Sequence, residues 1–238
     1  MARQARLVIA QQPHHILQRG NDRQLIFRDD DDCQQFLVWL REASRELRIA
    51  IHAYVLMPNH LHLLASPAQS DGLSKMMQWL GRHYVPYFNR KYDRVGTLYQ
   101  GRFKAIVIDS ERYFLTCSKY IELNPVRCGM VSHPADFGWS SYGHHVGSKI
   151  DPLVTDHGMY WSLGNTPFQR EAAYRYLVEQ GLTPAEVASV TDATLKGWPL
   201  ASTQFKKTLQ KRLQRSIGPG QRGRPKKVAS AIVVDAID

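Results

Sequence analysis

The order of hydrophobic periods along this 238-residue chain predicts an α+β fold: a ferredoxin-like, split βαβ antiparallel sheet with helices on one face. Three observations carry that reading. Strand-like segments at 13–19, 51–65 and 104–108 alternate with segments of helical period at 29–48, 73–92 and 110–124. The stretch 51–65 holds two short apolar strands folded back at Pro58-Asn59, a turn signal. The order is therefore strand, helix, strand, strand, helix, strand, with one more helix left to meet the open face of the sheet.

The first strand, 13–19, ends in the turn Gly20-Asn21-Asp22. Its adjacent His14 and His15 point to opposite faces, and a structural or partner-facing role suits them better than metal ligation. The helix at 29–48 carries Asp29–Asp32 at its positive end, read as a cap and a solvated terminus, with Phe36, Leu37, Leu40 and Leu47 as the inner stripe. Just past the 58–59 turn, His60 and His62 share one face while Leu61 and Leu63 take the other. Two imidazoles so placed can share one metal ion. The helix at 73–92 has Met76, Met77, Leu80, Tyr84 and Phe88 as a core stripe, with Pro86 a candidate kink and Arg82, His83, Arg90 and Lys91 outside. In 110–124, Asp109 or Ser110 is the expected cap. Tyr120 and Asn124, four apart, share a face before Pro125 ends the element, and Glu122 lies on another face as a structural carboxylate.

The segments Gln18–Asn21 (QRGN), Leu56–Leu63 (LMPNHLHL), Gly96–Lys104 (GTLYQGRFK), Lys119–Arg127 (KYIELNPVR) and Trp139–Ser141 (WSS) together resemble those of a REP-associated tyrosine transposase. That group is a branch of the HUH single-strand DNA transposases, the IS200-like family. The likeness runs from about Pro13 to about Tyr176. It implies the same antiparallel sheet, with His60 and His62 binding a divalent metal, Tyr120 as nucleophile and Asn124 completing the metal site. It also implies a 5′-phosphotyrosine intermediate, a hairpin-forming repeat as substrate and, in this branch, action as a monomer, although related enzymes are homodimers.

The net charge of +10 is unevenly spread: nine Lys/Arg and no Asp/Glu fall in 203–227, leaving 22 basic against 21 acidic residues elsewhere. A cationic C-terminal stretch on a near-neutral body points to a nucleic-acid partner. Helices are expected at 167–180, closed by Gly181, and from the capping box Thr183-Pro-Ala-Glu186, with a third from Ser202 or Thr203. The third would expose Lys206, Lys207, Lys211 and Arg212. Arg222-Gly-Arg224-Pro resembles an AT-hook core, whose extended arginines suit a narrow minor groove. Between 133 and 163 a loose arm is expected, with Trp139, Tyr142 and Trp161 wrapping the core and His144/His145 at the surface. The expected organisation is a catalytic domain at 1–150, an arm and helical accessory region at 151–217, and a basic tail at 218–238. Cys33, Cys117 and Cys128 fit reduced thiols, no apolar run approaches the ~20 residues of a membrane span, and a bacterial cytoplasmic, nucleoid-associated location is expected.

Tyrosine is a weak nucleophile, with a free pKa of about 10, so a metal must neutralise the phosphate for attack. Nitrogen and oxygen ligands suit Mg²⁺ or Mn²⁺. The substrate is expected to be single-stranded or a hairpin foot, with Arg19, Arg23, Arg82, Arg102, Lys104 and Arg127 as DNA contacts. Lys119, Lys104 and metal-bound water remain open as general base. A non-cleaving hairpin-binding protein and a zinc hydrolase are the competing readings.

Overall fold

In the computed structural model, residues 6–213 and Gly218 are described. The elements run β1 (His14–Arg19), α1 (Asp30–Glu46), β2 (Ile49–Met57), β3 (His60–Pro67), α2 (Gly72–Lys91), β4 (Lys104–Val107), α3 (Ser110–Glu122) and α4 (Asn124–Arg127). Short helices α5 (Tyr142–His145) and α6 (Gly158–Trp161) follow, then α7 (Pro167–Glu179), α8 (Pro184–Lys196) and α9 (Thr203–Leu213). The sheet has the order β2-β3-β1-β4 with every pair antiparallel, the ferredoxin-like arrangement.

Alternation along the strands builds two cores. Ile16, Leu61, Leu63 and Ala65 face α1 and α2, where they meet Phe36, Leu40, Met76, Leu80, Tyr84 and Phe88. Val55, Leu64, Ile106 and Ile108 face the other way, onto Phe114, Cys117, Tyr120 and Ile121 of α3 and Val190 of α8. An irregularity between Ile51 and Ala53 inserts one residue into β2, so Ile51 and Tyr54 both reach the first core. The α3 face is thus the one bearing His60 and His62.

Two buried carboxylates tie elements together. Asp32, expected in a solvated end, is wholly buried and accepts from Lys91 Nζ (3.1 Å), Tyr92 Oη (2.8 Å), Tyr87 Oη (3.2 Å) and the Arg28 amide. The solvated reading fails because α2 ends directly over the first turn of α1 and supplies donors there; Asp29 is the cap, accepting from the Asp32 amide. Glu122 is the second hub. It accepts from Ser141 Oγ, His145 Nδ1 (2.7 Å) and Tyr174 Oη (2.7 Å), so α3 is bonded to α5 and α7. His145 is therefore buried, not surface-exposed as expected, because the only fully desolvated carboxylate on α3 needs its N–H. Trp161 departs from expectation in the opposite sense: it is exposed, with the Arg170 guanidinium 4.1 Å above its ring.

The capping boxes at Thr166/Gln169 and Thr183/Glu186 form with both reciprocal bonds, and Gly197 closes α8 at φ 74°. Asp109 precedes α3 without capping it; its Oδ2 instead receives the Ser202 amide at 3.1 Å, pinning the start of α9 beside β4. Leu209 then packs with Ile9 and Val107, while Lys206, Lys207 and Lys211 remain exposed.

Candidate active site

Because Leu61 and Leu63 are consumed by the first core, the strand period leaves His60 and His62 facing α3. Their ring centroids lie 5.0 Å apart at 84°. His60 Nδ1 donates to Asn59 Oδ1 at 2.6 Å, held by the turn that creates β3. His62 Nδ1 meets His15 Nε2 at 2.7 Å, and those two rings stack at 4.9 Å. His15 reaches this face because its neighbour Ile16 is in the opposite core.

From above comes Tyr120. Its ring stands edge-on to His62 (5.9 Å, 81°) and to His15 (5.8 Å, 74°). Arg127, exposed seven residues further on, lays its guanidinium 3.9 Å over the tyrosine ring. The phenol oxygen is 3.1 Å from Thr191 Oγ1 on α8, so the hydroxyl is nearly enclosed.

Asn124 is not on the same helix as Tyr120. The helix at 110–124 stops at Glu122, and Asn124 opens the separate turn α4 with Pro125 in its first turn. Proline has no N–H to continue the α3 ladder, yet Leu123 N still bonds Lys119 O and Arg127 N bonds Leu123 O, so the chain keeps its sense of winding. Asn124 is buried, and its Oδ1 receives the Cys128 thiol at 3.4 Å.

Burial holds the rings uncharged. The pKa of His60 falls to about 4, by desolvation and then by Arg19 and Arg127. That of His62 lies well below the ordinary value, by desolvation and then by its histidine neighbours. His15 falls to about 3 for the same first cause. Neutral imidazoles are what a metal requires. Among the described residues no cluster of three His, Cys, Asp or Glu could hold an ion, so a site here needs a ligand of another type. Asn124, buried four residues beyond Tyr120, offers an amide oxygen, and a donor set of two imidazoles and an amide oxygen is chemically suited to a divalent cation.

The expected DNA contacts divide. Arg19 and Arg23 line a cleft of about 400 Å³ with Met57, Asn59 and His60, beside the histidine pair. Arg127 is at the tyrosine. Arg102 lies elsewhere, in a separate cleft of about 430 Å³ with Gln18 and Tyr99, and Arg82 is exposed on α2, across the sheet from the histidines. Lys104 Nζ donates to Leu195 O at the end of α8, and Lys119 Nζ to Gly181 O (both 2.9 Å), which engages both lysines considered as general bases. The Arg212 side chain, Arg222 and Arg224 fall outside the described residues. Sequence reasoning missed Thr191 and Thr194, for which helix period offers no signal. It set His15 aside, although strand alternation places it on the side opposite Ile16.

Residues 9–124 match the family model described as Transposase IS200 like. No curated protein matches the chain. Among solved structures, that of a REP-associated tyrosine transposase bound to a REP hairpin is similar, with 19% identity and a TM-score of 0.54 over 66% of this chain and 92% of that one. A candidate transposase from Deinococcus radiodurans R1 shares 16% identity with a TM-score of 0.36, over 48% of this chain and 92% of that one. At those identities the first likeness speaks to the fold, and it is the same fold. The family match spans β1 through the tyrosine helix to Asn124, just under half of the chain, and over that stretch the chain is similar to the IS200-like transposases, a family of enzymes that cut and rejoin DNA.

Proposed function

We propose that the protein is a metal-dependent single-strand DNA endonuclease and strand transferase that acts on hairpin-forming palindromic repeats through a 5′-phosphotyrosine at Tyr120. The observation that carries this reading is the meeting of Tyr120 with His62 and Arg127: a phenol edge-on to an uncharged imidazole, under a guanidinium. A binding protein has no use for that grouping, and a zinc hydrolase has no use for the phenol. The hairpin in the similar solved structure supports the substrate class.

In this reading the Tyr120 phenol gives up its proton to solvent as its oxygen attacks phosphorus, the P–O3′ bond breaks, and the departing 3′-oxygen takes up a proton to leave as a hydroxyl. The tyrosine keeps the 5′-phosphate until another 3′-hydroxyl displaces it, so bond energy is conserved and no nucleotide cofactor is needed. A divalent cation, Mg²⁺ or Mn²⁺, held by His60, His62 and Asn124, supplies charge neutralisation at the scissile phosphate. Arg127 serves two ends: it fixes the ring plane and offers its N–H groups to a phosphate oxygen. Arg19 and Arg23 hold the adjoining backbone in the cleft next to His60. Enclosure by Thr191 means that the phenol exchanges one hydroxyl partner for the substrate as DNA enters.

The test is a labelled single-stranded repeat hairpin incubated with the protein and Mn²⁺. A covalent adduct that disappears in Tyr120→Phe, with hairpin binding retained, is expected. Binding without an adduct from any repeat of the source genome would instead establish the non-cleaving binder.

A further inference from the structure

We infer that His15 and Thr194 form a proton-ordering relay that keeps the Nε2 atom of His62 bare, so that α8 is a working part of the metal site. This rests on the reading of His60 and His62 as metal ligands and adds residues to it. The relay consists of three contacts. Thr194 Oγ1 lies 2.7 Å from Val190 O, His15 Nδ1 lies 2.8 Å from Thr194 Oγ1, and His15 Nε2 lies 2.7 Å from His62 Nδ1. All three side chains are buried.

With both rings neutral, only one distribution of protons satisfies every contact. A carbonyl oxygen cannot donate, so the hydroxyl proton of Thr194 lies toward Val190. Thr194 Oγ1 must then accept, and His15 carries its proton on Nδ1. A neutral ring with Nδ1–H accepts at Nε2, so His62 donates from Nδ1 and its Nε2 holds a lone pair. The reverse order would leave the two oxygens of Thr194 and Val190 2.7 Å apart with no proton between them. His60 reaches the same state locally, since its Nδ1 is held by Asn59 Oδ1. Both rings thereby present Nε2, as ligands whose other nitrogen is bonded to an outer partner do.

Thr194 lies seventy residues beyond the end of the family-matched stretch, on the helix that also carries Thr191 against Tyr120. In Thr194→Val, His15 loses its acceptor, its proton moves to Nε2, and His62 is forced to carry its own on Nε2, where a metal would bind. In Thr194→Ser the relay is retained.

The measurement is ¹⁵N–¹H long-range correlation of histidine-labelled, metal-free protein, paired with calorimetric titration of Mn²⁺ in the absence of DNA. Wild type and Thr194→Ser are expected to show Nδ1–H tautomers for His15 and His62. In Thr194→Val both become Nε2–H, and Mn²⁺ affinity falls by about 10- to 100-fold. An Nε2–H tautomer for His62 in the metal-free wild type overturns the relay whether or not any variant folds. So does a Thr194→Val protein that binds Mn²⁺ as wild type does. Failure of the underlying reading looks different: the tautomers are as stated, but Mn²⁺ leaves the His60 and His62 resonances unbroadened.

Discussion

Arg127 lays its charge over the tyrosine ring and, in the proposed reaction, beside the attacked phosphate, so its removal should cost rate far more than stability. An exposed cation–π contact contributes about 0.5–1 kcal/mol, whereas losing one preorganised donor to a transition-state charge costs about 10²-fold in rate. Arg127→Ala is therefore expected to shift thermal melting by a few degrees at most while adduct formation slows by about two orders of magnitude. Equal adduct rates in single-turnover assays would remove Arg127 from the chemistry. At the same scale, the grouping of His60, His62 and Tyr120 was legible beforehand: the three stand in recognisable motifs, and strand period alone put both histidines on one face. Thr191 and Thr194 were not legible. A hydroxyl on a helix has no sequence signature for reaching a side chain 71 residues earlier, as Thr191 does at Tyr120, or 179 earlier, as Thr194 does at His15.

Among the elements, the strength of attachment of α5 and α7 to α3 depends on one carboxylate. Glu122 accepts three bonds in a dry environment, and Glu122→Ala would strand the donors of Ser141, His145 and Tyr174. A loss of about 3–5 kcal/mol in urea unfolding is expected. Glu122→Gln keeps the Oε1 pairings but presents an N–H to Tyr174, whose hydroxyl must then accept and turn its own proton away from its former acceptor, so the variant should fall between wild type and the alanine variant. A loss below 1 kcal/mol for Glu122→Ala would show that the hub is not structural. The order of strands and helices through α3 follows from hydrophobic period, and so do the capping boxes of α7 and α8. What period could not show is the burial of Asp32 and His145. Each sits in a polar run, and only the approach of a distant element with matching hydrogen-bond partners (Lys91 and Tyr92 for one, Glu122 for the other) desolvates it.

Over the whole molecule, pH and salt are the informative variables. His14 donates from Nδ1 to Gln12 O and accepts the Ile9 amide at Nε2, and His52 bridges Thr155 O and Ser66 Oγ. Burial depresses each to about 4 from 6.5. The unfolded chain binds their protons first, so the stability they contribute is complete above pH 6.5 and is lost as pH falls toward 4. At roughly 3 kcal/mol for each ring, the denaturant midpoint should drop steeply between those limits. His14→Asn and His52→Asn should each flatten the drop, and a profile unchanged in both would discount the histidines. For salt, a variant lacking 214–238 removes five Lys/Arg yet spares Leu209 and its contacts with Ile9 and Val107. Hairpin affinity is expected to weaken, with a shallower dependence on log salt and an unchanged melting temperature; an unaltered slope would place the electrostatic grip on the body.

The contact between His15 and Thr194 also sets a schedule. Translation completes the sheet, the imidazoles of His60 and His62 and the tyrosine by residue 124, but the ring of His15 waits for a partner seventy codons later. At ~5–20 residues per second that wait lasts roughly 4–14 s. A ribosome-bound chain in that interval carries His60, His62 and Tyr120 but not the threonine that bonds His15, so on the proposed reading the proton order of the imidazoles is set only once α8 has been made.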